Sequence, residues 1–472
     1  MFMRLIYDEK LAQSAYIIGC QKSGEAIVID PLRDVDRYIE IAEANDLKIT
    51  AVAETHIHAD FVSGAREMAH RTGARVYVSG EGGDDWQSRW TTEYDHVRLK
   101  DGDTFAIGNI EFRAVHTPGH TPEHMVYLVT DHGSGASEPI GICSGDFLFV
   151  GDLGRPDLLE SAAGQSGAME PSAKRLFSSA KWLGGLPEFI QVWPGHGAGS
   201  ACGKALGAVP MSTVGYERRF NPALKLAIGE GATEAGFVGF ILEGQPEPPM
   251  YFANMKRVNR DGPPVLGSLP QPKQHTLADL AALDARDVAI VDTRPWAAYR
   301  DSHLPGAMSF PLSTTFNTDA GSMVREDEDI YLIVERDRLD EAVRDLVRIG
   351  LDRIVGWMDP AEMSNATDTA STNEVAAEQA AERMSRGEVA VLDVRRATEF
   401  AAGGLDGAQN IAHTRLASRL DELPSERPLL IHCQGGIRSA RACGYLQRLG
   451  YDVINLEGGY EAWQAAHAPA NA

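Results

Sequence analysis

The sequence contains no CxxC pair, no uninterrupted apolar run of membrane-spanning length and no excess of basic residues. Each absence excludes something. The five cysteines, Cys20, Cys143, Cys202, Cys433 and Cys443, are odd in number and scattered, which argues against a disulfide framework and against a zinc ribbon. A cysteine that matters here matters as a thiol. Without a long apolar segment no membrane-spanning helix is expected. Residues 1–10 carry an early acidic pair and no apolar stretch of the kind a secretory signal needs, so a cytoplasmic protein is the expectation. With 44 Lys and Arg against 67 Asp and Glu, the formal net charge is −23, which argues against nucleic acid and an anionic membrane as partners. A small anionic substrate stays open, because a locally basic pocket can survive in an acidic protein.

At 472 residues the chain exceeds what one hydrophobic core serves. Its 43% hydrophobic and 24% charged residues are ordinary for soluble globular domains. In the first half strands and helices alternate. Residues 15–19 and 25–30 are short apolar runs bounded by Gly, Ser and Pro, and are predicted as strands. Residues 35–45 place Tyr38, Ile39, Ile41 and Ala42 at helical spacing. A strand over 49–54 runs into Thr55-His56-Ile57-His58-Ala59-Asp60, followed by a helix over 63–72 and a strand over 75–79. The rhythm continues to about residue 240 and predicts one α/β domain. A stretch holding Pro246, Pro248, Pro249, Pro263, Pro264, Pro270 and Pro272 follows, and is predicted as a linker or surface coil.

The remainder holds an internal repeat. Val288-Ala-Ile-Val-Asp292-Thr-Arg294 recurs as Val389-Ala-Val-Leu-Asp393-Val-Arg395, and both copies reach a Gly-Ala pair at the same offset, Gly306-Ala307 and Gly407-Ala408. Two copies of one unit imply two homologous modules, joined by the polar segment 365–374. The expected organisation is a domain over 1–250, a linker over 251–275, a module over 276–364 and a second over 375–472.

Ligand-capable residues gather in the first domain. His56-Ile57-His58-Ala59-Asp60-Phe61 directly follows a strand. His116-Thr-Pro-Gly-His120-Thr-Pro-Glu-His124, Ser144-Gly145-Asp146 and Trp193-Pro194-Gly195-His196-Gly197 complete the series. Each sits at a strand end beside Gly or Pro, which allows close backbone approach to an ion. One such histidine alone would be a core or surface residue, but four sites in this order point to a metal centre.

Together these motifs resemble the metallo-β-lactamase superfamily over about residues 1–250, with Asp30 of Val28-Ile29-Asp30-Pro31 matching its first motif. The resemblance implies an αββα sandwich with the site between the edges of two sheets. One position departs. Dinuclear zinc hydrolases of this fold carry a histidine directly after the aspartate of HxHxD, and here that residue is Phe61. A second metal on Asp60, that missing histidine and His196 is therefore expected to be weak or absent, and a single metal is favoured.

Within the superfamily, Glu54-Thr-His-Ile-His-Ala-Asp, Ser144-Gly-Asp and Gly154-Arg155-Pro156-Asp157 look most similar to persulfide dioxygenases. The ligand types suit iron, zinc or manganese alike. The resemblance implies one Fe(2+) per chain, held by His56, His120 and Asp146 as a two-histidine, one-carboxylate face whose open positions take substrate sulfur and dioxygen. It makes His58, Asp60 and His196 residues that orient those ligands. Arg155 resembles the family's substrate-facing arginine, or else is a loop arginine paired with Asp152 or Asp157. Cys202 follows the His196 motif. It is read either as a relay for sulfane sulfur at the pocket mouth or as a small buried hydrophobe.

A second motif is Leu429-Leu-Ile-His432-Cys433-Gln-Gly435-Gly436-Ile-Arg438-Ser439, ahead of a helical pattern over 440–449. An apolar strand delivers a cysteine into a Gly-containing loop that opens onto a helix N-terminus. Backbone amides and the helix end there favour an anionic sulfur. Arg438 offers a fixed positive charge to sulfite or thiosulfate. This resembles the active-site loop of rhodaneses, with Gly435 and Gly436 contributing amides and Asp393, Arg395 and Glu399 matching the framework motif. Cys443 lies within the helix and is expected in the core, as are Cys20 and Cys143. In the first copy, Tyr331-Leu-Ile-Val334 leads into Glu335-Arg-Asp-Arg with no cysteine, so that α/β rhodanese module is expected to be inactive and to serve structure or docking.

The combined expectation is a dioxygenase that oxidises a low-molecular-weight persulfide to sulfite and thiol, coupled to sulfur transfer that yields thiosulfate. A homo-oligomer is expected, with the cysteine-free module as an assembly surface. The rivals are a zinc thioesterase or glyoxalase-II-like hydrolase, which would use His58 as a ligand, and a sulfur-carrier scaffold.

Overall fold

The computed structural model describes residues 1–161, 167–245 and 247–467. Pro246 of the proline-rich stretch, and 468–472 at the end of the last expected module, lie outside the described residues. The chain forms two compact units, Met1–Ser268 with Val347–Gly350, and Leu269–Leu346 with Leu351–Ala472.

The first unit is built on two six-stranded sheets. One runs in order β1 (Phe2–Asp8), β2 (Gln13–Cys20), β3 (Glu25–Ile29), β4 (Lys48–Ala53), β5 (Arg75–Ser79) and β6 (His96–Leu99). The other holds β7 (Thr104–Ile107), β8 (Ile110–His116), β9 (Met125–Asp131), β10 (Gly141–Gly145), β11 (Gln191–Pro194) and β12 (Ser212–Thr213). β2 is buried along its whole length, and its Tyr16 and Ile18 face the other sheet. Tyr16, Ile18, Ile27 and Ile29 from the first sheet meet Phe112, Tyr127, Val129 and Trp193 from the second in a shared core. On the outer face of the second sheet, helix Met169–Leu183 presents Ala173, Leu176, Ala180 and Leu183 at helical spacing to Val126, Leu128 and Ile142. A buried leucine of this kind contributes about 1.5–3 kcal/mol. Helices Asp36–Glu43 and Ala65–Thr72 lie against β4 of the first sheet. The result is the αββα sandwich, with β-strand ends delivering their loops to one edge.

The proline-rich stretch departs from the coil expected there, because residues Phe252–Asp261 form a helix. The prolines stand at either end of that segment and leave its ten residues free of the missing N–H and ring clash that break helices. Its Phe252, Met255 and Asn259 are buried.

The second unit holds two five-stranded sheets of matching order. They are β13 (Lys273–Gln274), β14 (Val288–Asp292), β15 (Met308–Ser309), β16 (Asp329–Ile333) and β17 (Ile354–Met358), in order β13-β17-β16-β14-β15, then β18 (Asn373–Val375), β19 (Ala390–Asp393), β20 (Gln409–Asn410), β21 (Leu429–His432) and β22 (Val453–Leu456), in order β18-β22-β21-β19-β20. The strand pairs within each are parallel. The repeated Asp-x-Arg has one job in both copies. Arg294 pairs with Asp292 at 2.6 Å and Arg395 with Asp393 at 2.6 Å, at the C-terminal ends of β14 and β19. Helix Ile437–Arg448 of the second module rests on the first, where a Cβ at Gly444 would come within 2.9 Å of the Ser309 nitrogen.

Candidate functional site

The loop after β4 is anchored by Asp30, the residue that directly follows β3. Asp30 sits at φ 51°, a left-handed conformation that costs a non-glycine residue energy. In that pose its carboxylate accepts from the Thr55 N–H at 2.7 Å and the Thr55 hydroxyl at 2.8 Å. Thr55 Oγ1 in turn stands 2.9 Å from Nδ1 of His56 and fixes its ring. His120 is fixed likewise, its Nδ1 lying 3.0 Å from the Arg155 carbonyl. Asp146 places Oδ1 at 2.7 Å from Nδ1 of His196. With those ends engaged, Nε2 of His56, Nε2 of His120 and Oδ2 of Asp146 face one another. His120 Nε2 is 3.5 Å and His56 Nε2 3.9 Å from Asp146 Oδ2.

These three buried side chains can bring one ligand atom each to within 4.8 Å of one another. His56 Nε2 and Asp146 Oδ2 have no hydrogen-bond partner among the described residues. Buried polar atoms left so are costly, and one cation answers both. The residues therefore fit a single metal ion. Burial holds the His56 and His120 imidazoles below their ordinary range, so both are neutral donors. For Asp146 burial acts the other way, but His196 beside it prevails and keeps the carboxylate ionised well below its usual range. His196 itself is opposed by burial yet pushed up to about 10 by Asp146 and Asp60.

His58 turns elsewhere. Its Nε2 lies 2.9 Å from Glu54 and 3.2 Å from Asp30, and these carboxylates outweigh burial to hold the ring well above its ordinary value. Phe61 packs against it at a tilt of 32°, with ring centroids 4.3 Å apart. Asp60 reaches His196 at 2.7 Å. Arg155 follows its ion-paired alternative: the guanidinium grips Asp157 at 2.8 and 2.6 Å and donates to the Ala201 carbonyl at 3.0 Å. Cys202 is 1% exposed, so it lies beneath the surface beside Asp60 and His196, not at a pocket mouth.

Several supports were given no role in the sequence reading. Asn259, in the stretch read as a linker, donates to the carbonyls of His58 at 2.8 Å and Phe61 at 2.7 Å and accepts from Ser63 N–H at 2.9 Å. Glu123 accepts from Ile57 N–H at 2.8 Å, and His124 Nε2 accepts from Asp146 N–H at 3.1 Å. Gly154 is required by contact, since a Cβ there would sit 1.7 Å from the Asp146 carbonyl oxygen.

In the second unit, β21 ends in the loop from Cys433 to Arg438, which opens onto helix Ile437–Arg448. Cys433 Sγ accepts from the Gly436 N–H at 3.1 Å and lies 3.6 Å from the Ser439 hydroxyl. Gly435 is on the exposed side. The Gly458-Gly459-Tyr460 turn backs the loop: Tyr460 N–H donates to the Cys433 carbonyl at 2.8 Å and Glu461 N–H to that of Gln434 at 3.0 Å. Arg438 is less free than its sequence context implied, since both terminal nitrogens meet Glu399 at 2.7 Å. The guanidinium and carboxylate planes match, which favours this two-point pair. Cys20, Cys143 and Cys443 are buried, as expected. In the first module a short turn, Arg336–Arg338, stands where the cysteine loop would be.

Comparison with known proteins agrees with this geometry. The metallo-beta-lactamase superfamily profile matches residues 9–196, and the rhodanese-like domain profile matches 276–357 and 376–466. A solved metallo-beta-lactamase from Staphylococcus aureus subsp. aureus COL is 40% identical with a TM-score of 0.67, the match covering 76% of this chain and 98% of that one. The mitochondrial persulfide dioxygenase ETHE1 of Bos taurus is 25% identical over 232 residues, 49% of this chain and 78% of its own. The probable polyketide biosynthesis zinc-dependent hydrolase BaeB of Bacillus velezensis is 27% identical over 212 residues, 45% of this chain and 84% of its own. With a relative matched along nearly its whole length, this chain belongs to the metallo-beta-lactamase superfamily, in a fused form that carries two rhodanese-like domains in tandem.

Proposed function

We propose that the chain is a non-haem iron persulfide dioxygenase coupled to a sulfurtransferase. The observation that carries the reading is the donor set: two neutral imidazoles and one carboxylate converge, while His58 is committed to Glu54 and Asp30 and Phe61 offers no donor. Three ligands on one face leave positions for two small reactants, as oxygenases need and closed zinc sites lack. The similarity to the bovine persulfide dioxygenase supports the same substrate class.

Iron(II) held by His56, His120 and Asp146 would supply the dioxygen chemistry and a seat for persulfide sulfur. The chain's own contribution is orientation and charge. Thr55 and the Arg155 carbonyl hold the far ring nitrogens, and His196 stays protonated between Asp60 and Asp146 at neutral pH. The overall change takes persulfide, dioxygen and water to thiol, sulfite and two protons.

At the second site the Cys433 thiolate attacks the sulfane sulfur of another persulfide, whose S–S bond breaks and whose thiolate leaves. Sulfite then attacks the outer sulfur of the Cys433 persulfide. A new S–S bond forms in thiosulfate and the Cys433 thiolate is released. The Gly436 N–H aimed at Sγ supports the anion in each half.

The test is oxygen uptake by iron-loaded protein given glutathione persulfide, with sulfite and thiosulfate quantified, for wild type and Cys433→Ser. Uptake in both, with sulfite in place of thiosulfate in the variant, is the expected result. No uptake with glutathione, coenzyme A or cysteine persulfides would reject it. The zinc-hydrolase reading, favoured by the BaeB similarity, would then come first.

A further inference from the structure

The two rhodanese-like modules enclose a cleft that has no part in that reaction. Its cavity measures about 590 Å³, within the range of roughly 300–1,000 Å³ that small organic ligands fill. The first module lines it with Arg286, Met323 and Arg325, and the second with Leu420, Arg448 and Leu449. Helix Ile437–Arg448 runs from the Cys433 loop to this cleft. Its 12 residues span roughly 18 Å, so the cleft is not the sulfur-transfer site. Arg448 fixes the walls. It pairs with the buried Glu328 of the first module and donates to the carbonyls of Ala285 at 2.8 Å and Val288 at 3.0 Å. A cleft pinned in this way is formed before a ligand arrives, which spares binding the cost of ordering it. The last helical carbonyls, of Leu446 and Gln447, accept from the N–H groups of Leu449, Gly450 and Tyr451, which mutes the negative helix end.

We infer that this cleft binds a small aliphatic carboxylate, its chain against Met323, Leu420 and Leu449 and its anionic head at Arg286 or Arg325. Among the described residues that line the cleft three are arginines and none is acidic, in a chain whose net charge is −23. Glu328 offsets Arg448 and also meets Arg325 at 3.2 Å. The other pairs are looser. Arg286 and Arg325 are 84% and 62% exposed, and their partners Asp284 and Asp327 are exposed as well. Pairs open to solvent are weak, so a ligand carboxylate can take over a guanidinium fork in a two-point contact. Methionine and leucine walls adapt to a flexible alkyl chain. The site does not depend on the persulfide reading, because it lies apart from both reacting centres.

The test is isothermal titration calorimetry of the full chain with decanoate, 1-decanol and acetate. Decanoate should fill one saturable site per chain, with 1-decanol at least about tenfold weaker and acetate without measurable binding. Arg286→Gln combined with Arg325→Gln should weaken decanoate at least about tenfold and leave 1-decanol unchanged. Ala417 lies on the exposed rim of the cleft, so Ala417→Trp fills the cavity without touching the core and should abolish binding of both. Circular dichroism checks that each variant is folded, and the double arginine variant, which alters surface groups alone, decides the matter if Ala417→Trp is not. No saturable site for decanoate, equal binding of 1-decanol, or decanoate binding that survives in folded Ala417→Trp would overturn the proposal.

Discussion

Nε2 of His58 faces the carboxylate of Glu54 at 2.9 Å and that of Asp30 at 3.2 Å, pointing away from the group made by His56, His120 and Asp146. A histidine in the HxHxD motif is thus used as a buried cation between two acids. His58→Gln should leave metal content after dialysis close to that of wild type, because no proposed ligand is removed. Stability should fall by up to about 3–5 kcal/mol, the range for removing one partner of a buried charge pair. A folded His58→Gln protein that no longer holds metal would reject this arrangement. The His58 ring is raised in the folded state, so its contribution is fully present below its ordinary value of 6.5. It fades as pH rises towards the folded value, and the gap between wild type and variant should narrow in alkali.

Asn259 closes three backbone hydrogen bonds around the same loop, to His58, Phe61 and Ser63. Asn259→Ala leaves those buried groups unmatched, at about 1–3 kcal/mol for a buried polar group. Metal affinity should fall about 10- to 100-fold, as when an outer support of a metal ligand is lost. Competition with a chelator measures it, and an unchanged affinity would show that the loop holds its shape without this residue.

Asn259 also shows what the sequence could and could not convey. His56, His120, Asp146 and His196 were legible because each occupies a strand end in a motif of fixed spacing, and strands such as 75–79 because apolar runs are bounded by turn residues. A single asparagine on a short helix flanked by prolines has no pattern; only folding brings it near residues about 200 positions earlier. β1 was missed for a related reason, since Phe2–Asp8 is an edge strand of mixed burial and lacks a clean apolar run. Arg438 was found, but its pairing with Glu399 spans 39 positions and is set by tertiary contact alone.

Gly459 stands at φ 61°, and a Cβ there would lie 2.5 Å from the Cys433 carbonyl oxygen. Both the backbone angle and the contact disfavour a side chain. Gly459→Ala should push the Cys433 loop out of register with the Gly436 amide. Thiosulfate formation should drop at least about tenfold, the cost of losing roughly one well-placed interaction of 1.4 kcal/mol. Metal content and oxygen uptake of the first domain should be unchanged. Equal losses in both activities would mean that the substitution had unfolded the chain.

Glu399 is held at about 2, against an ordinary 4.5, by its hydrogen bonds to Arg438, which outweigh partial burial. A folded-state value below the unfolded one means that the pair's contribution is fully present above about 4.5 and is lost as pH falls through about 2. Wild type should therefore exceed Glu399→Gln in stability by a constant margin from about pH 5 to 9, and the margin should shrink between about 4.5 and 2. Glu399 and Arg438 are 30% and 25% exposed, so solvent screening limits that margin to about 1 kcal/mol. Urea unfolding at several pH values measures it directly. A margin that changed between pH 6 and 8 would show that another group, not this carboxylate, governs the Arg438 contact. The same variant leaves Arg438 without its counter-charge, and the apparent affinity for sulfite should then rise. A lower kcat at unchanged KM would instead make Arg438 a support of the loop and not the seat of the anion.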